Sequence, residues 1–327
     1  MDRPSGAIHA SRKPVCVLIA FDMDEALKAK IETQPIPVEV VACANLKQLT
    51  SEQLARAEVV ICGDFNAEQF VQSPNLRWIH KMSTGVDRML YPELLASSVV
   101  LTNSAGAHAI PIAEHVIGAM LAIVKEFPKA FRRQQQHSWV KEHTGELYGK
   151  TLGIVGMGHV AEEIARLAKA MSMKTIATRR RPIPTNAVDE LLPQDRLDEM
   201  LGRSDFVVIT LPLTPSTRGM FGPAEFRAMK PAAYLINIAR GQIVREASMV
   251  VALQTGQIAG AALDVASVEP LPADSPLWSM GNVIITPHTS GHSYRVSERA
   301  VDLFCDNLVR FWNGEELVNR VDKEAGY

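Results

Sequence analysis

Apolar residues fall along this chain in short runs rich in valine and isoleucine, separated by longer stretches with leucine and alanine at helical spacing. In the first third the runs are Val15 to Ala20, Val38 to Ala42, Val59 to Cys62, Trp78 to Lys81 and Val99 to Thr102. Short runs of this kind read as strands buried in a parallel sheet. Asp24 to Glu32 and Ser51 to Ala57 lie between them with leucine or alanine on one face. After a turn at Gly145 to Lys150 comes a second series: Thr151 to Val155, Lys174 to Thr178, Phe206 to Thr210, Ala233 to Ile238, Gly260 to Asp264 and Val283 to Thr286. Strand and helix alternate in both series, which predicts an α/β chain of doubly wound parallel sheets.

Two longer helical patterns frame the second series. One runs from Ile112 to Gln136, with Pro111 suited to its first turn and Glu114 to its positive end. Its segment Val116 to Val124 is apolar nearly all round, which fits burial against a second copy or within one chain. The other, Tyr294 to Asn313, carries Val301, Phe304, Leu308, Phe311 and Trp312 at helical spacing. No internal repeat or low-complexity segment interrupts the pattern.

Length and composition narrow the classes. With 327 residues the chain has room for two domains. Hydrophobic residues make up 47% and charged residues 21%, an ordinary globular balance. The formal charge of −2 offers no polyanion-binding field, and the single basic run, Arg179 to Arg181, is short, so neither nucleic acid nor a membrane surface is expected as a partner. Cys16, Cys43, Cys62 and Cys305 are far apart and form no metal-ligand spacing; they are expected to be buried thiols, with no metal site. Met1 to Pro14 is polar without a signal-like core, and no apolar run approaches the ~20 residues of a membrane helix. A cytoplasmic protein is the resulting expectation.

The strand Thr151 to Val155 runs straight into Gly156-Met-Gly158-His159-Val160-Ala161, and then a helix from about Val160 to Met171. Gly156 allows a tight turn, Gly158 lets a pyrophosphate approach the backbone, and Ala161 replaces a third glycine where helix meets strand. Alone, such a motif is a common strand-to-helix turn. Here the flanking strand, helix and second strand fall where dinucleotide binding requires them, and the first helical amides, including those of His159 and Val160, then face the phosphates. The six strands of this series match the count of a dinucleotide-binding sheet. At the end of its second strand, where an acid would hold the ribose of NAD, the chain reads Ala177-Thr178-Arg179-Arg180-Arg181. Guanidinium groups there suit a 2′-phosphate, so NADP is expected as the preferred cofactor, with NAD as the lesser one.

Three more segments carry chemistry, each just beyond a strand of the second series: Asn237 to Gly241 with Arg240, Asp264 to Pro270 with Glu269, and Thr286 to His288. Ligands of doubly wound sheets collect at such strand ends. A guanidinium, a carboxylate and an imidazole brought together there suit carbonyl reduction of an oxo acid.

Together with the phrases Gly-Lys-Thr-Leu-Gly-Ile-Val-Gly-Met-Gly, Leu-Pro-Leu-Thr-Pro-Ser-Thr, Asn-Ile-Ala-Arg-Gly and Thr-Pro-His, this set resembles the D-isomer-specific 2-hydroxyacid dehydrogenase family almost from end to end. The resemblance implies that Arg240, Glu269 and His288 are catalytic. His288 would be the general acid toward the carbonyl oxygen and the base in reverse. Glu269 would orient the imidazole and stabilise its protonated form, and Arg240 would fix the substrate carboxylate and polarise the carbonyl. The resemblance also implies that backbone amides near Thr84 and Gly85 bind the substrate carboxylate. It places Ser104, Leu211, Pro212, Thr217, Ile238 and Asp264 at the cofactor, with Asp264 facing the nicotinamide amide.

Two positions depart from the family. Arg179 stands where NAD-dependent members carry an acid, and Thr210 where many have histidine. The implied architecture is a Rossmann-type cofactor domain, residues 105–292, inserted in a flavodoxin-like substrate domain, residues 1–104 and 293–327, with Gly106 and Gly291 near the crossings. The helix after Pro111 resembles the family's dimerisation element, so a homodimer is expected. The function implied is NADP-preferring reduction of a small 2-oxo acid, of glyoxylate or hydroxypyruvate type, to the D-2-hydroxy acid. Alternatives are a dinucleotide-sensing, corepressor-like protein on the same fold, and an enzyme of the fold acting on phosphite or an aromatic oxo acid.

Overall fold

The structure, a computed structural model, describes residues 13–43, 49–181 and 183–326. The polar segment at Met1 to Pro14 thus lies almost wholly outside the described residues. The chain divides into two compact units, one formed by the N-terminal part up to Ala107 together with the stretch from Tyr294, the other running from His108 to Ser293.

The first unit holds five strands: β1 (Val15–Ile19), β2 (Val38–Ala42), β3 (Val59–Cys62), β4 (Trp78–Lys81) and β5 (Val100–Asn103). They pair in the order β2-β1-β3-β4-β5, every pair parallel. The three inner strands are buried at every position, as their unbroken runs predict, whereas edge strand β2 is half-exposed or exposed throughout. Successive side chains point to opposite faces, so two cores form. Leu18, Val60 and Ile79 pack on one side with Phe65, Met89 and Leu94. Val17, Ile61 and Trp78 pack on the other with Val301, Phe304, Leu308 and Trp312 of the helix Val296–Asn313. Trp78, fully buried, stacks on Phe304 at 5.0 Å between ring centroids, a contact worth about 0.5–1.5 kcal/mol beyond its buried area.

The second unit holds β6 (Thr151–Val155), β7 (Lys174–Arg179), β8 (Glu190–Pro193), β9 (Phe206–Ile209), β10 (Tyr234–Asn237), β11 (Gly260–Leu263) and β12 (Val283–Ile285). Their order is β12-β11-β10-β9-β6-β7-β8, again all parallel. The helices Ala109–Val124 and His159–Ala170 share one core with Leu152, Ile154, Val208 and Ile236. The helices Leu197–Arg203, Pro223–Ala228 and Glu246–Gln254 share the other with Val155, Val207, Ile209 and Leu235.

The structure corrects four expectations. The sheet has a seventh strand, β8, where the sequence predicts six. Glu190-Leu-Leu-Pro193 has no β-branched residue, and it forms only as an edge strand, with Pro193 opposite Arg179 where no further ladder is needed. The expected helix from Ile112 to Gln136 is two helices, Ala109–Val124 and Phe127–Gln135. Pro128 has no N–H to give the carbonyl of Val124, which accepts from Gly145 N–H at 2.8 Å instead, and Glu126 takes a left-handed φ of 53° at the break. Because the first of these helices begins at Ala109, Glu114 lies beyond its first turn. The C-terminal helix begins at Val296 rather than Tyr294.

All four cysteines are buried thiols. Among the described residues no helix is long and apolar enough to cross a membrane, and no cluster of three or more His, Cys, Asp or Glu could hold a metal ion.

Candidate active site

The glycine loop leaves β6 as its sequence demands. Gly156 has a φ of 101°, and a Cβ there would stand 2.9 Å from Leu211 Cδ2. Leu211 and Thr210 therefore close over the loop only because that position is glycine. Thr210, where the family often has histidine, turns its hydroxyl to the carbonyls of Val155 and Gly156 at 3.1 Å. Gly158 caps the helix His159–Ala170, which has no side-chain cap, and the space a Cβ would occupy at Gly158 is open. His159 is exposed, Val160 half-buried and Ala161 fully buried against the sheet. An uncapped helix start with open space in front of a glycine fits an anionic group such as a pyrophosphate.

The flanking loops frame this opening. Arg179 ends β7 half-buried and Arg180 comes next, exposed. On the other side Thr217 holds the loop after β9 by donating to Pro212 O at 2.7 Å and accepting from Thr214 N–H at 2.8 Å. Leu211 is half-buried and Pro212 exposed in that loop, and Ile238 sits in the sheet core just past β10. These residues lie at the carboxyl edge of the sheet, where a dinucleotide is bound in such folds.

Arg240, Glu269 and His288 come after three adjacent strands, β10, β11 and β12. With β8 counted, these are the last three of seven rather than of six. Asn237 shapes the first loop, accepting from Ala239 N–H and donating to Arg240 O, each at 3.1 Å. Arg240 is half-buried and donates from Nη1 to Ala239 O at 2.8 Å. The central finding is at the other two residues: His288 Nδ1 lies 2.8 Å from Glu269 Oε2. Glu269 Oε1 accepts from Ala266 N–H at 3.1 Å, so both carboxylate oxygens have a partner and the carboxylate plane is fixed.

His288 is held as firmly from behind. Its φ is 55°, an uncommon left-handed value for a residue with a side chain, and its N–H bonds to Asp264 O at 2.8 Å. Asp264 is 2% exposed and accepts from Thr286 Oγ1 at 2.5 Å and from the amides of Thr289 and Ser290 at 2.9 Å. Burial alone pushes its pKa up, but the hydrogen bonds from Ser290, Thr286 and Thr289 outweigh it and hold the carboxyl below its ordinary range. Both oxygens of Asp264 thus serve the loop that carries His288.

Sequence reasoning did not find this brace, nor the clamp on the neighbouring loop. Gln242 Nε2 donates to Ser267 O at 2.8 Å and Glu246 accepts from Ser267 N–H at 3.3 Å. A Cβ on Gly241 would stand 1.9 Å from Ala266 C. The signal for that last contact was present, a glycine directly after the arginine, but its meaning depends on which backbone lies above it. In the first unit, Thr84 is exposed and Gly85 half-buried in the turn after β4, and Ser104 is fully buried, its hydroxyl donating to Lys81 O at 3.0 Å.

An imidazole backed by a carboxylate, with an arginine and a dinucleotide-type glycine loop at strand ends of the same sheet, marks a nicotinamide-dependent oxidoreductase. Residues 117–290 match the family model of the D-isomer specific 2-hydroxyacid dehydrogenase, NAD binding domain. The glyoxylate reductase of Korarchaeum cryptofilum is 33% identical over 269 residues, covering 80% of each chain. A D-isomer specific 2-hydroxyacid dehydrogenase of Xanthobacter autotrophicus, solved with NADPH and MES, superposes with a TM-score of 0.87 at 27% identity, over 97% of this chain and 100% of that one. The NADPH-dependent glyoxylate/hydroxypyruvate reductase of Sinorhizobium meliloti, solved with NADP and sulfate, gives 0.83 at 30% identity, over 97% and 100%. The chain belongs to the D-isomer specific 2-hydroxyacid dehydrogenases, oxidoreductases acting on CH–OH groups.

Proposed function

We propose that this enzyme reduces a small 2-oxo acid, of the glyoxylate or hydroxypyruvate type, to the D-2-hydroxy acid, with NADPH as preferred reductant. The observation that carries this reading is the 2.8 Å pair of His288 Nδ1 and Glu269 Oε2. With Nδ1–H donated to the carboxylate, Nε2 is the nitrogen that exchanges a proton with the substrate. The cofactor supplies the hydride for the carbonyl carbon. His288 gives a proton to the carbonyl oxygen as negative charge grows there, and Glu269 stabilises the imidazolium before that transfer. Arg240 holds the substrate carboxylate and polarises the carbonyl; the family resemblance assigns the amides of Thr84 and Gly85 to the same carboxylate. The relatives that reduce glyoxylate and hydroxypyruvate support the substrate class.

Purified enzyme with NADPH should consume it when given glyoxylate or hydroxypyruvate, and the product should be the D acid by chiral chromatography. No consumption with any 2-oxo acid, in a protein that binds NADPH, would overturn the reading.

The cofactor preference is assigned to Arg179 and Arg180. Each charge-assisted hydrogen bond to a phosphate is worth about 1.5–3 kcal/mol. Replacing both arginines with serine is expected to raise the KM for NADPH by about 10²–10⁴-fold and to leave that for NADH nearly unchanged. Equal losses for the two cofactors would remove the 2′-phosphate contact from the reading.

A homodimer completes the proposal. Ala113, Val116, Ile117 and Met120 of the helix Ala109–Val124 are spent on the unit's own core, which accounts for much of that helix's apolar surface. Support for a second copy comes instead from the next helix and the loop beyond it, where Phe131 is 61% and Trp139 92% exposed.

A further inference from the structure

Behind the turn that carries Thr84 and Gly85 lies a buried imidazole that no step of the reaction uses. His80 is fully buried on β4, directly opposite Thr102 on β5. Its Nδ1 lies 2.8 Å from Thr102 Oγ1, and its Nε2 lies 3.0 Å from Ser104 Oγ. Trp78 Nε1–H also donates to Thr102 Oγ1, at 2.8 Å, and Phe304 stacks on the indole and packs at a tilt against the imidazole.

The direction of every bond in this line is set by its two ends. A carbonyl only accepts, so the hydroxyl proton of Ser104 goes to Lys81 O. Ser104 Oγ must then accept from His80, which puts the ring proton on Nε2. Burial keeps the ring neutral, with its pKa held down at about 3. Nδ1 is therefore bare and accepts from the Thr102 hydroxyl, whose oxygen in turn accepts from the indole. Every donor and acceptor in the line is satisfied without water.

The line ends on the substrate turn. Ser104 takes two of its carbonyls, Lys81 O through the hydroxyl and Ser83 O through its amide at 3.3 Å. Asn103 Nδ2 takes a third, Thr84 O, at 2.8 Å. With the carbonyls pinned toward β5, the amides of Ser83, Thr84 and Gly85 meet no acceptor among the described residues. Successive unpaired amides of this kind form an anion-binding concavity.

We infer that His80 is a positioning residue for substrate binding: as the Nε2–H tautomer it fixes Ser104, and Ser104 fixes the turn whose amides take the substrate carboxylate. The last link rests on the proposed function; the tautomer and the line of hydrogen bonds do not.

The test compares two substitutions of similar bulk in the full-length enzyme. His80→Phe keeps a ring against Phe304 and has no donor for Ser104. His80→Gln keeps an N–H that can reach it. His80→Phe is expected to raise the KM for the 2-oxo acid about 10-fold, as for one lost hydrogen bond, with kcat and NADPH affinity near wild type. His80→Gln is expected to restore most of that loss. A role in stability alone would lower the melting temperature of both variants without this KM-against-kcat split, and that result overturns the inference.

Nitrogen NMR of the wild-type ring gives a readout that needs neither substrate nor variant. A bare Nδ1 that persists at mildly acidic pH supports the inference, and an Nδ1–H tautomer overturns it even if His80→Phe does not fold. A wild type that reduces no 2-oxo acid would defeat the proposed function and leave the tautomer to be judged separately.

Discussion

Replacing His288 with alanine is expected to lower kcat for 2-oxo acid reduction by about 10²–10⁴-fold, with the dissociation constant for NADPH unchanged. The size reflects the role proposed for the side chain. Hydride arrival leaves a charge on the carbonyl oxygen that must be neutralised by a proton. His288 stands at a strand end with a carboxylate at its back, Glu269 Oε2 at 2.8 Å. Methyl in place of imidazole removes the donor and leaves Glu269 with one bond, from Ala266 N–H. The fold should not suffer: His288 is nearly half-exposed, and its loop is held by the backbone and by Asp264. Single-turnover kinetics would isolate the chemical step and a fluorescence titration would report cofactor affinity. A variant with wild-type rate at neutral pH would remove His288 from the acid role.

Gly241→Ala should have the next largest effect, and on two measurements at once. The new Cβ would lie 1.9 Å from Ala266 C, 2.1 Å from Ala266 O and 2.4 Å from Ser267 N. These are backbone atoms, so no side chain can rotate away. The Asp264–Glu269 stretch must move, and Gln242 and Glu246 hold it at Ser267 while it does. Overpacking of this kind costs about 1–3 kcal/mol, readable as a lower melting temperature. Glu269 rides on the same stretch, so its carboxylate shifts with respect to His288. A displacement near 1 Å at reacting groups can cost about 10²-fold, and kcat should fall at least about 10-fold by that measure. An alanine variant with unchanged melting and kcat would show that the loop yields freely and does not set the geometry of the pair.

Much of this was legible in the chain. Unbroken apolar runs such as Val15–Ile19 and Phe206–Ile209 announce strands covered on both faces, and both sheets are parallel. The glycine loop and the three strand-end motifs could be assigned to the cofactor edge because order along the chain fixes which strand precedes each. What escaped was set by contacts between distant segments. β8 has no run of its own and exists by pairing with β7. The break after Val124 depends on Gly145 taking a carbonyl that Pro128 cannot serve. Asp264 could be seen as an acid ending a strand, but its two oxygens brace residues 286–290, more than twenty positions away. His80 was read only as part of a strand, since nothing local shows that Thr102 and Ser104 stand on either side of its ring.

The five-stranded sheet also bears on how the chain is made. Its strands leave the ribosome first, but the face bearing Trp78 is covered by Val296–Asn313, which is made after the whole of His108–Ser293. The inserted unit can therefore complete its cores during synthesis while the earlier sheet waits with an apolar face bare. That interval, when Trp78 has no Phe304 beneath it, is the stage at which the nascent protein most needs protection from aggregation.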